Sequence, residues 1–121
     1  MAETLTAPID ELVAALIAEG LAATTDPRNA HPPCALVSVE SVTPRTSGLV
    51  RTTLAVVLIA PGMGNADAIG WIMGTGIPAA WRVLGTRAPG TFGSWTSPHT
   101  GVQLLACELR PTAFDQTYVE V

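Results

Sequence analysis

The sequence predicts an α+β domain with a mainly antiparallel sheet. Three observations carry that expectation: an apolar stripe at helical spacing near the N-terminus, a long alternating stretch from Leu49 to Ile59, and shorter strand-like runs separated by Pro, Gly and Asn turns. At 121 residues the chain has room for one core, so residues 1–121 read as a single domain. The expected element order is α-β-β-α-β-β.

The first helix is expected from Pro8 to Glu19, because Ile9, Leu12, Val13, Leu16 and Ile17 recur on one face. Thr6 suits its N-cap, Pro8 its first turn, and Asp10 with Glu11 the positive end of its dipole; Gly20 stops it. Leu21 to Thr25 reads as a short strand running into the turn formers Asp26-Pro27-Arg28-Asn29. His31-Pro32-Pro33 is held extended by its prolines. Cys34 to Val39 then reads as a strand and Ser41 to Gly48 as a connecting turn.

Leu49 to Ile59 is the long strand, with Val50, Thr52, Leu54, Val56 and Leu58 on one face and Arg51, Thr53, Ala55, Val57 and Ile59 on the other. Its far end is apolar on both faces, which predicts cover on both sides. Together with Cys34–Val39 it should form the sheet centre. Pro61-Gly62-Met63-Gly64 breaks the chain, and Asn65 offers an N-cap to a helix from Ala66. Gly70, Gly74 and Gly76 each weaken that helix by about 1 kcal/mol relative to Ala, and Pro78 removes a hydrogen bond. A helix to Met73, a break, and a second helix from Pro78 to Leu84 are therefore expected. Phe92–Thr96 and Thr100–Leu109 read as a hairpin over Ser97-Pro98-His99. Residues from Thr112 to Val121 read as a tail with strand character at Tyr118 and Val119.

Composition narrows the function. Six cations, all arginine, stand against ten carboxylates for a net charge of −4, which leaves no diffuse cationic face for a nucleic-acid backbone. Hydrophobic residues make up 48%, which argues against disorder; charged residues make up only 13%. That charged fraction is roughly half of an ordinary soluble domain's ~25%. Mean hydropathy is +0.38, yet no run reaches the ~18 uninterrupted apolar residues that a membrane helix needs. Glu3, Asp10 and Glu11 stand where a leader's positive region would be, so neither a leader nor a membrane partner is expected. A small, apolar, charge-poor chain of this kind is expected to hide surface in an oligomer.

The residues that could carry chemistry also have structural explanations. Cys34, Cys107, His31 and His99 could supply a zinc set, with His31-Pro32-Pro33-Cys34 at ligand-like spacing. Both cysteines fall inside apolar strands, however, where free cysteine packs as a small hydrophobe. No metal ligand is assigned, and whether Cys34 and Cys107 pair stays open. Gly93-Ser94-Trp95 lacks the G-x-S-x-G pattern of a nucleophile elbow, and no carboxylate pair is forced together by spacing, so no catalytic residue is assigned. Pro61-Gly62-Met63-Gly64-Asn65-Ala66-Asp67 lies between strand and helix, where phosphate loops occur. It lacks the Lys-Ser/Thr of a P-loop, and Asp67 would repel phosphate, so it reads as a tight turn without a cofactor. Trp71, Trp81 and Trp95 belong to a core or to a contact with another subunit.

Asp26-Pro27-Arg28-Asn29, then Pro32-Pro33-Cys34 and a strand, and Ala60-Pro61-Gly62-Met63-Gly64-Asn65-Ala66-Asp67-Ala68 after a long strand, occur in this order behind a short amphipathic helix. In this the chain resembles the tail terminator proteins of long-tailed (siphovirus-type) bacteriophages, over about Ile9 to Ala68 and weakly beyond. The absence of lysine and the abundance of Ala, Gly, Pro and Arg suit a GC-rich genome. The resemblance implies a virion structural protein, not an enzyme. Its copies would form a homohexameric ring on the head-proximal end of the tail tube, assembled in the host cytoplasm. Such a ring stops polymerisation of the major tail tube protein, meets the head–tail connector at the neck, and lets DNA pass without gripping it. The segment Gly70 to Pro78 departs from the family, where a longer unbroken helix is expected. A connector or tail-completion protein, or a tube subunit, is the alternative within the same class; a small nucleotide-binding enzyme using the Gly62-Met63-Gly64 loop is the contrasting one.

For a ring subunit, the candidate interface residues are Arg45, Leu49, Val50, Arg51, Asp26, Arg28, Trp71 and Trp81. The hairpin of Cys34–Val39 and Leu49–Ile59 is expected to make the side-to-side contact, because Leu49-Val50-Arg51 should project past a shorter partner strand.

Overall fold

The computed structural model describes residues 7–45, 48–62, 66–85 and 87–117, the last seven of these as backbone. It is a single α+β domain, built on a five-stranded, mostly antiparallel sheet with helices packed on one face. Helix α1 spans Ala7–Ala18. It closes on Gly20 at φ 94°, where Leu21 N–H donates to the Leu16 carbonyl at 3.1 Å and Gly20 N–H to that of Ile17 at 3.0 Å. That pair of bonds is a Schellman cap, and the left-handed φ is one that glycine takes without strain.

Strand β1 is only Ala23–Thr24 and runs parallel to β2, Cys34–Pro44. A single 3-10 turn, Pro27–Asn29, lies between them. Strand β3, Leu49–Ile59, is central, with β2 on one side and β5, Gln103–Thr117, on the other; β4, Gly90–Thr96, is the far edge. Because β3 is antiparallel to β5 and β5 to β4, strands β3 and β4 run parallel with β5 between them. The helical run of residues 66–84 is the crossover that joins them.

Two expected boundaries are corrected. Strand β2 does not stop at Val39: it shifts register between Val39 and Ser41, through Glu40, then continues to Pro44 opposite Val50. The C-terminal segment is strand as far as Thr117, pairing with the first half of β3. The Leu49-Val50-Arg51 end therefore does not project: Val50 sits between Pro44 and Gln116, and Arg51 between Thr43 and Asp115. Thr, Ser and Pro make these segments weak strands alone, and pairing with β3 overrides that preference.

The expected break after Met73 is a π turn. Helix α2, Ala66–Trp71, passes through Ile72–Gly76 into α3, Ile77–Leu84. Ile77 N–H donates to the Ile72 carbonyl, so a wider turn carries the run past Pro78, which has no N–H to give. Thr6, Asn65, Met63, Gly64, Tyr118 and Val119 lie outside the described residues.

Both faces of the sheet are apolar where β3 ends, as its sequence predicts. On the helix side, Leu12 and Leu16 of α1, Ala68, Ile72, Ala79 and Ala80 pack on Ala35, Val37, Leu54, Val56, Leu58, Cys107 and Leu109. On the other side Ala30, Cys34, Leu36, Ile59 and Ala106 form a smaller cluster, with Val57, Trp95 and Leu104 at its margin.

Candidate assembly surfaces

The two cysteines settle first. Cys34 is opposite Ile59 and Cys107 opposite Leu58, so they face opposite sides of the sheet with β3 between them, and both are free. Burial pushes the Cys34 thiol from an ordinary 9.0 up to about 11, and raises Cys107 as well. His31 and His99 are exposed, so the four possible zinc ligands do not converge. Among the described residues no three His, Cys, Asp or Glu side chains are grouped to hold a metal ion. Among the same residues no helix is long and apolar enough to cross a membrane.

The histidines do something else. Their rings, from segments 68 residues apart, stack at 5.6 Å between centroids and 8° between planes. His99 Nε2 donates to the Arg28 carbonyl at 2.6 Å. The contact ties the β4–β5 turn to the Pro27–Pro33 segment over Ala30, which closes one end of the smaller cluster. A depression of about 470 Å³ lies beside it, lined by His31, Pro32, Pro61, His99, Val102 and others. No sequence signal marks the pairing, because each histidine is a lone residue in a turn.

Asp26 and Arg28 lock this segment from within. The Arg28 side chain and then its backbone N–H hold the Asp26 carboxyl below its ordinary value, with Oδ1 accepting that N–H at 2.9 Å and Oδ2 at 3.2 Å from Arg28 Nη2. Both charges are thus used locally, as the N-cap of the 3-10 turn.

Arg45, Leu49, Val50 and Arg51 lie at the other end of the same sheet, some 11 residues along β2 from Cys34. Here β2, β3 and β5 form a three-stranded arm. On its helix-side face Val39 and Val42 of β2 are 49% and 52% exposed, and Leu49 at the tip is exposed on the opposite face. Thr52, opposite Val42 on β3, is buried, with no hydrogen-bond partner for its hydroxyl among the described residues. The arm begins at two register shifts on either side of Leu54–Val56. There Arg110 Nη2 reaches across β3 to Glu40 Oε2 at 3.3 Å while also holding Glu108. Ala55 beneath that bridge is fully buried.

Trp71 and Trp81 are half-buried on the helical layer against the main core. Trp81 donates its indole N–H to the Ala88 carbonyl at 3.0 Å. The eight candidate residues thus fall into three separate groups: the arm tip, the 3-10 turn and the helical layer. Val39 and Val42, which sequence reasoning did not select, are the more exposed apolar side chains of the arm; their signal was the alternation Val37, Val39, obscured where Glu40 shifts the phase. No family model and no curated protein sequence matches the chain.

Proposed function

We propose that this chain is a structural assembly subunit of a phage tail: a terminator-like protein whose copies ring the head-proximal end of the tail tube, stop its polymerisation and join it to the connector. The observation that carries the reading is the arm. Its paired strands hold Val39 and Val42 in water on one face and Leu49 on the other, and apolar side chains exposed together on β2 suit a protein contact. The charge-poor composition supports the same reading, and so does the ordered pair of turn motifs. A net charge of −4 without lysine suits a ring that DNA crosses without being held.

The test is tail length. Purified protein added to polymerising tube subunits should give capped tubes of fixed length, scored by negative stain. Long hollow fibres formed by this chain alone would instead identify a tube subunit. Tubes of unaltered, unlimited length would defeat the terminator reading. A thermal shift with nucleotides would support the enzyme reading, since a ligand at 100 times its Kd adds about 2.7 kcal/mol.

A further inference from the structure

The helices carry acidic residues at their starts and an arginine at the end of α3. Glu19, just past α1, pairs with Arg82 near the end of α3 at 3.0 Å, so the C-terminal ends of both helices meet. Beside them Arg87 is exposed, with no partner among the described residues. Between the two arginines lies a depression of about 430 Å³ floored by Pro78 and Trp81. The Trp81 ring is fixed there by its bond to Ala88.

Carboxylates stand at the N-terminal ends of α1 and α2. Asp10 and Glu11 open α1, about 14 Å along the helix from Glu19. Asp67 opens α2, about 22 Å of helix before Arg82. All three are exposed, and none has an ion-pair partner among the described residues. Half-buried Pro8 and Ile9 lie beside Asp10.

Helix dipoles account for Asp10, Asp67 and Arg82, which sit at the ends that favour their charge. They do not account for Arg87, which lies past Gly85 and outside the helix. Nor do they account for an apolar hollow between two guanidinium groups.

We infer that the Trp81–Arg82–Arg87 hollow of one copy receives the Asp10–Glu11 end of a second copy. This inference rests on the proposed ring, and it assigns the side-to-side contact to the helical layer. The two surfaces differ, so the contact is head-to-tail; such contacts close into rings when the rotation closes. The charges set register and orientation, while Pro8 and Ile9 supply apolar area to the indole. The arm is left free to meet the tube or the connector.

Two variants of the full chain test it. Arg87→Glu makes both ends negative, and Asp10→Arg/Glu11→Arg makes both ends positive. Each alone should weaken self-association by about tenfold or more at low salt, read by sedimentation velocity. Mixed in equal amounts they should alternate around the ring and recover the wild-type species, because every junction again joins opposite charges. Circular dichroism melts check that both are folded.

Assembly of either variant as well as wild type would overturn the inference. So would a folded mixture that fails to recover, or a wild-type chain that stays monomeric at low salt up to about millimolar concentration. Tube capping is scored separately. Recovery in the mixture without capping of tails would sink the terminator reading and leave the contact standing. Normal capping by both single variants would sink the contact alone.

Discussion

Gly90 and Cys107 meet diagonally across the last two strands, so closely that a methyl group on Gly90, whose direct partner is Leu109, would lie 2.7 Å from the cysteine sulfur and 3.0 Å from Leu109 Cδ2. The edge strand is laid directly on a buried thiol, and only hydrogen fits between them. Gly90→Ala should therefore destabilise the domain by about 1–3 kcal/mol through overpacking, measured by urea denaturation. Adding Cys107→Ala removes the sulfur and should recover part of that loss. If Gly90→Ala melts like wild type, β4 does not sit where it is described.

The thiols supply a chemical test of the same core. Cys34 is held protonated by burial, with its pKa pushed up to about 11. At pH 8 a thiol reagent should label neither cysteine in the native protein, and both on unfolding. Since the folded pKa is raised, the stability that Cys34 adds is fully present below pH 9. It fades as the pH rises from 9 towards about 11, where the folded thiol also ionises. A melting temperature that rises over that interval would contradict the assignment.

The elements read correctly from sequence are those whose pattern is self-contained. Helix α1 has its stripe, its acidic first turn and Gly20; β3 has 11 residues without Gly or Pro, apolar on both faces at the far end. What failed depends on partners distant in sequence. Ser41 to Pro44 resembles a turn, and the segment after Arg110 resembles a tail, until β3 supplies a ladder to each. The shifts at Glu40 and after Leu109 cost the alternation one phase and hide it from any window-based reading. For the same reason the candidate assembly surfaces are only partly legible: Leu49 and Val39 stand at the ends of the expected strands, whereas Val42 needs the β2 extension and the stacked histidines need the whole fold.

Thr52 carries a buried hydroxyl with no hydrogen-bond partner among the described residues. Thr52→Val keeps the shape and removes the orphan group. The substitution should stabilise the isolated subunit by about 1 kcal/mol, seen as a higher midpoint in thermal or urea unfolding. An equal loss would mean that the hydroxyl is satisfied in solution.

The histidine stack makes a local prediction. His99→Ala removes both the ring contact with His31 and the bond to the Arg28 carbonyl. Amide hydrogen exchange should then quicken at Asn29 and Ala30, whose N–H groups donate to Asp26 and Pro27 within the 3-10 turn. Protection of the α1 and β3 amides should hold. Unchanged exchange at Asn29 and Ala30 would mean that the Asp26 lock alone fixes the segment.

The arm gives the test of function that leaves the fold intact. Sequence alone favours Val50→Asp or Arg51→Glu as the interface variants, on the expectation of a projecting strand end. In the structure both positions are half-buried and paired on two sides, so a charge change at Val50 loads the domain as well as any interface. Val42 is the better site. Its side chain is 52% exposed, so an aspartate there stays hydrated in the free subunit. Val42→Asp should leave the melting temperature nearly unchanged, since exposed substitutions fall within about 0.5 kcal/mol. On a docked arm the same carboxylate loses its water without gaining a partner, a far larger penalty. Tubes grown with the variant should therefore overrun their normal length, while the head-to-tail association through Trp81 and Arg87 persists. Val42→Asp protein that caps tubes at the wild-type length would show that the arm is not the surface that meets the tail.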